Sequence, residues 1–239
     1  GVTCLATDLA AAPPTAADER LLAAADPFAR APESFRASLE VAAGERTLRL
    51  ELYRSGDDLA LIRFLDPSER GKFLLRRGGE TWFLAPGSRR PVRVGPGHRL
   101  AGVGLDELAG LLLASAYAVT DVAESSGVVT FALAARAAEA AVARARHVVR
   151  RAGGLPLRTD LQAADGRVLR VLEYSAWRSE TPPVPERVVV KDLVRRGPPV
   201  EVRFLEVVGE LLPATLFDPA DAAEVRIEES GPLRTAVRI

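Results

Sequence analysis

Methionine is absent from the 239-residue sequence, cysteine occurs once, and the only histidines are His98 and His147. Each shortage excludes something. A lone Cys4 rules out an internal disulfide and any multi-cysteine metal site. Two histidines far apart in sequence, with no cysteine beside them, leave a zinc site without support. No apolar run is long enough to cross a bilayer as a helix. Neither sign of charge is in excess: Lys+Arg and Asp+Glu are both 32, intermixed along the chain, so the basic stripe that nucleic acid requires is missing. Lys72 and Lys191 are the only lysines, and the dominance of arginine is read as a coding bias rather than as phosphate recognition.

Without methionine, Gly1 is expected not to be the translation start. Residues 1–14 are small and apolar and end in an alanine run before Pro13-Pro14, so they are expected to be a leader remnant or a disordered N-terminus. Cys4 is read as part of that leader; lipidation at Cys4 is the less favoured alternative, because Val2 and Thr3 are a poor lipidation context. Residues 15–239 are expected to form one domain.

What is present is alternation. A helix is predicted over Thr15–Ala25, capped by Thr15, with Asp18 and Glu19 at its positive end and Pro27 after it. After Pro32 the period becomes two. Ser34–Val41, Glu45–Tyr53 and Asp57–Leu65 read as a three-strand meander, followed by a Lys72–Arg77/Glu80–Ala85 hairpin across Gly78-Gly79 and a further strand over Arg90–Val94. The glycine-rich stretch 95–104 reads as irregular, and Leu105–Ala116 as one apolar helix. Strands resume over Ala118–Ala123, Val128–Ala135, Val142–Arg150, Leu155–Ala163, Arg167–Trp177, Arg187–Arg195 and Val200–Val208, with Ala134–Ala145 open to a helical turn instead. A last hairpin is expected over Glu224–Glu228 and Leu233–Ile239. The sum is a mainly β (α+β) protein: about eleven strands or more in a single curved antiparallel sheet forming an incomplete β-barrel, with an N-terminal helix and a helical lid over the concave face.

An apolar helix entered through glycines at 95, 97, 102 and 104 reads as a plug on a hinge, which turns a core into a pocket. The expected lining is Leu39, Leu50, Ile62, Phe64, Trp82, Leu108, Leu112, Val190 and Phe204, with Gly95, Gly97, Gly102 and Gly104 as hinge. Trp82 is chosen over Phe83, since consecutive strand residues point to opposite faces. Arg89, Arg90 and Arg93, near the mouth, are candidates to meet a lipid headgroup or an acidic partner, although a solvated strand end is the preferred reading. Gly102-Val103-Gly104 lacks the Lys-Ser/Thr partner of a phosphate cradle, and no G-x-S-x-G elbow occurs. No cofactor, metal or catalytic residue is assigned.

The order of segments is informative as well. Leu61-Ile62-Arg63-Phe64-Leu65-Asp66-Pro67, Gly71-Lys72-Phe73-Leu74-Leu75, Thr81-Trp82-Phe83-Leu84-Ala85-Pro86, Gly154-Leu155-Pro156-Leu157-Arg158, Asp165-Gly166-Arg167, Leu172-Glu173-Tyr174-Ser175, Pro185-Glu186-Arg187-Val188-Val189-Val190 and Leu216-Phe217-Asp218-Pro219 together resemble outer-membrane lipoprotein-sorting proteins of the LolA/LolB type. The resemblance runs over about residues 34–219; the tail 220–239 has no counterpart in it. It implies a periplasmic carrier of a Gram-negative bacterium, monomeric, that binds a lipid or the acyl chains of a lipoprotein and moves it toward the outer membrane. An inner-membrane donor complex and an outer-membrane acceptor are the implied partners. The alternative is a sensory or protein-binding module of the same fold without transport; a lipid hydrolase would require a Ser or Asp in contact with a His.

Overall fold

Alternation along the sequence becomes alternation of burial. In β1 (Ser34–Ala43) the residues Phe35, Ala37, Leu39 and Val41 are buried between less buried neighbours, and in β2 (Arg46–Ser55) Leu48, Leu50 and Leu52 share their face. The computed structural model describes residues 14–28, 31–69, 72–85, 88, 90–95, 98–100, 102–138, 140, 142–177, 184–195 and 197–220. Cys4, Arg89, Gly97 and the expected C-terminal hairpin lie outside the described residues.

The first meander continues through β3 (Leu59–Phe64), β4 (Phe73–Arg77), β5 (Glu80–Leu84) and the short β6 (Val92–Val94). A two-residue ribbon, β7 (Arg99–Leu100) with β8 (Val103–Gly104), and two helices, α2 (Leu105–Ala109) and α3 (Leu113–Ala116), then cross to the second meander. That meander is β9 (Tyr117–Ser125), β10 (Val128–Ala135), β11 (Arg144–Arg150), β12 (Leu155–Gln162), β13 (Val168–Trp177), β14 (Pro185–Asp192) and β15 (Val200–Gly209). β15 returns to pair with β1, giving one antiparallel 13-stranded sheet in the order β6-β5-β4-β3-β2-β1-β15-β14-β13-β12-β11-β10-β9. The expected open, curved sheet is the observed fold. α1 (Ala16–Ala24) precedes it, with the Thr15 capping box in place.

Topology forces the curvature. β6 and β9 are the two edges of the sheet, yet consecutive in the chain apart from the crossover 95–116. Laid flat, thirteen strands would be about 58 Å wide. A crossover that is partly helical, at about 1.5 Å per helical residue, and that doubles back in a hairpin, falls short of that span. The sheet therefore curls around it. The direct sign is that Arg76 of β4 reaches Asp106 while Arg170 of β13, six places away in the sheet, reaches Glu107.

The inner face, α1, α2 and α3 share one apolar cluster, in which Phe28 lies 5.2 Å from Phe204 and 6.2 Å from Phe35 between ring centroids. A second cluster occupies the outer face of β2–β5, where Leu216 and Phe217 of a 3-10 turn (Ala214–Phe217) fold back onto Tyr53, Leu61, Phe73, Leu75 and Leu84.

Three segments differ from the sequence reading. Leu105–Ala116 is two short helices, broken where Gly110 takes φ 110° and Leu112 φ 52°. A side chain on Gly110 would meet the Arg54 guanidinium at 3.2 Å and the Phe28 ring at 3.3 Å, so close packing against buried groups accounts for the break. The glycine-rich stretch, expected to be irregular, holds the β7–β8 ribbon. The strand expected over Arg187–Arg195 is Pro185–Asp192, because the Asp192 carboxylate accepts from the Val194 and Arg195 amides and turns the chain there. The choice left open over Ala134–Ala145 falls to the sheet: β10 ends at Ala135, β11 begins at Arg144, and the described residues between them form no helix.

Phe204 is 2% exposed and central to the inner cluster. Phe204→Ala is expected to cost about 3–5 kcal/mol in urea unfolding.

Candidate functional site

Cross-strand register builds the inner wall. Phe64 pairs with Leu50, Leu50 with Leu39 and Leu39 with Phe204, a single apolar row over β3, β2, β1 and β15. Ile62, Val190 and Leu108 of α2 join the same cluster. The structure thus brings together seven of the nine residues singled out for the lining, each at most 6% exposed. In this closed arrangement they pack on one another and on the lid.

The other two are placed differently. Trp82 stands opposite Leu75 in β4 and belongs to the outer cluster; Phe83, opposite Leu74, is the residue that packs on the inner one, 5.1 Å from the His98 ring. Parity decides this, and both faces of β4 and β5 carry apolar residues, so alternation alone does not distinguish them. Leu112 sits in the break between α2 and α3 with a left-handed backbone and is only partly buried. Arg93 faces outward and pairs with Glu80 at 2.9 Å, so it is not at an inner mouth, while Arg90 is exposed. Of the glycines, Gly95 is exposed and Gly104 has an ordinary extended backbone. Gly102 takes φ +87°, and a side chain there would come within 3.1 Å of Val200, so it serves close packing of the ribbon on the sheet.

What sequence reasoning missed is the polar hold on the lid. Arg54, Arg76 and Arg170 occupy inner-face positions at the ends of apolar rows, and each is buried. Arg170 approaches Glu107 at 2.6 Å and 2.7 Å and donates to the Gly102 carbonyl at 2.8 Å. Arg76 pairs with Asp106 at 2.7 Å. Arg54 donates to the Ala109 carbonyl at 3.0 Å, and the Asp26 carboxylate accepts from the Leu113 amide at 2.9 Å. The broken helix would otherwise bury an open carbonyl and an open N–H, and these two side chains satisfy them. Arg99 adds a pair to Asp192 at 2.9 Å. The available signal was arginine at dry parity: Leu48, Leu50, Leu52, then Arg54; Leu74, then Arg76; Tyr174, Leu172, then Arg170. Burial pushes the carboxyls of Asp26 and Glu107 up; the Arg170 guanidinium pulls Glu107 back.

His147 anchors α1. Its Nε2 lies 3.2 Å from the Ala25 carbonyl, which can only accept, so Nε2 carries the proton; Nδ1 then accepts from Thr159 at 2.8 Å, and Thr159 from Tyr174 at 3.1 Å. Complete burial pushes the imidazole down to about 4. Among the described residues no group of three His, Cys, Asp or Glu side chains is placed to hold a metal, and no helix is long and apolar enough to cross a membrane.

No protein-family model matches the sequence, and no curated protein matches it. Solved structures do match the fold. A LolA superfamily protein from Nitrosomonas europaea superposes with a TM-score of 0.71 at 19% identity, over 84% of this chain and 96% of that one. An outer-membrane lipoprotein-sorting protein domain from Vibrio parahaemolyticus gives 0.63 at 14% identity, over 77% and 89%. A DUF1329 family protein from Desulfovibrio piger gives 0.64 at 16% identity, over 78% and 90%. The chain has the fold of the LolA superfamily.

Glu107→Gln removes the nearer of two carboxylates from the buried Arg170, leaving Asp192 at 3.7 Å, and is expected to cost about 2 kcal/mol and to speed amide exchange over 105–116. A second expectation concerns pH. The imidazole of His147 titrates near 4 when folded and 6.5 when unfolded, so its contribution is intact above 6.5 and is lost as pH falls toward 4. Urea unfolding of the wild type is expected to lose about 3 kcal/mol over that window from this group, a component absent from His147→Asn.

Proposed function

We propose that residues 15–239 form one carrier domain that takes a lipid, or the acyl chains of a lipoprotein, between the curved sheet and the lid. The reading extends to a periplasmic monomer that passes its cargo from an inner-membrane donor toward an outer-membrane acceptor. The observation that carries it is the way the inner wall is closed. Among the described residues no backbone hydrogen bond joins 102–113 to the large sheet; the lid is held by side chains.

Magnitudes favour exchange. The lid contributes Val103, Leu105, Leu108 and Leu113 as large buried apolar groups, roughly 6–12 kcal/mol in all. A guest chain of about sixteen carbons, at about 0.8 kcal/mol per methylene, supplies a comparable sum. The ion pairs weigh little in the balance, since water solvates their charges once the lid lifts. A guest can therefore replace the lid against the Phe64-Leu50-Leu39-Phe204 row at small net cost. The proposal needs no catalytic group, and none is assigned.

A second reading, a sensory or protein-binding module of this fold, draws on β9, a nine-residue edge strand that offers its free backbone groups to another chain. Native mass spectrometry of protein recovered from cell envelopes is expected to show a bound acyl species, and a fluorescent long-chain fatty acid should compete with it. Leu39→Glu/Leu50→Glu should abolish uptake. Protein that neither retains nor acquires any acyl compound leaves the second reading standing and removes the first.

A further inference from the structure

We propose that the end of the sheet carrying the β14–β15 turn is a docking surface for anionic phospholipid bilayers. Six large apolar side chains are strongly exposed among the described residues: Leu65, Val92, Leu193, Val194, Leu205 and Leu211. Because neighbouring strands run antiparallel, the end of β3, the start of β6 and the end of β14 all lie at one rim, and this rim carries the first four. Leu193 and Val194 form its tip, 49% and 56% exposed.

The tip is built to hold that shape. Asp192 accepts from the Val194 amide at 3.0 Å and the Arg195 amide at 2.9 Å, and the Leu193 amide donates to the Leu169 carbonyl at 3.0 Å. Two aliphatic side chains are thus presented to water by a turn already ordered, so little freedom is lost when they enter an apolar phase. Their neighbours set the polarity of that phase. Arg195 follows them directly, and Arg90, Arg136 and Arg144 lie in the loops or strand start of the same rim; all four are exposed, and none has an acidic partner among the described residues. Aliphatic side chains at the tip, with Arg195 beside them and further unpaired guanidinium groups along the same rim, match a surface that is apolar beneath and anionic above, which is the chemistry of an acidic phospholipid leaflet.

The same turn touches the lid. Asp192 also receives Arg99 of β7 at 2.9 Å and lies 3.7 Å from Arg170, the partner of Glu107. Docking at this rim sets the ribbon end of the lid against the bilayer. The docking itself does not depend on the carrier reading, since a module without cargo would bind the vesicles in the same way.

The test is flotation of the full chain with vesicles of equal parts phosphatidylglycerol and phosphatidylcholine, against vesicles of phosphatidylcholine alone, at low and high salt. Binding to the anionic vesicles, weakened by salt, is expected. Leu193→Ser/Val194→Ser should lower partitioning about tenfold or more, and Arg195→Gln about fivefold. Leu211→Ser serves as the control: it is 90% exposed at the opposite rim and should bind as the wild type does. All four positions are exposed, and unchanged thermal unfolding will show that each variant folds. No binding to anionic vesicles, equal binding to both compositions, or an equal loss in Leu211→Ser overturns the proposal.

Discussion

The antiparallel contact between β1 and β15 governs the architecture. It joins the first strand of one meander to the last strand of the other over the register from Phe35↔Gly209 to Ala43↔Val200. Once these central strands are paired, the two strands left at the outside, β6 and β9, are the two that the chain must connect directly. A short connection between distant edges bends the sheet toward itself and lays the connecting segment over the concave wall. The lid is thus a consequence of strand order; its place over the apolar row does not have to be selected by its own sequence.

That explains which features are legible in the sequence. Period-two alternation and the Gly78-Gly79 and Asp165-Gly166 turns mark most strands, because one dry and one wet face leave a local trace. Absolute parity is lost where both faces are dry. β4 and β5 carry apolar residues on each side because Leu216 and Phe217, far along the chain, cover the outer one, so alternation does not tell which of Trp82 and Phe83 meets the inner wall, and Phe83 is the one that does. The break in the lid is hidden for a related reason: Leu105–Ala116 has ample helical propensity, and only the approach of Arg54 and Phe28 to Gly110 ends the helix.

Buried arginines give the lid a different kind of attachment from that of the sheet. A ladder exchanges backbone partners only by unfolding, whereas guanidinium and carboxylate groups are rehydrated when a segment lifts. Arg76–Asp106 is already half in water on its acidic side, and Arg170–Glu107 is sealed. The hold is graded from the outside inward, so the two ion pairs made by neighbouring residues of α2 do not open to water with equal ease. α1 is secured by Leu22 in the inner apolar cluster and by the imidazole of His147 on the Ala25 carbonyl.

The interruption at Gly110–Leu112 has a geometric corollary. One buried carbonyl and one buried amide left open by the break meet one arginine and one aspartate on separate elements, Arg54 in β2 and Asp26 beyond α1. A continuous helix could slide along an oily trough in steps and rest at several offsets. Two polar sockets of opposite sense, fixed at either side of a kink, admit a single seating, so the connecting segment has one alignment on the sheet and no neighbouring offset to settle into.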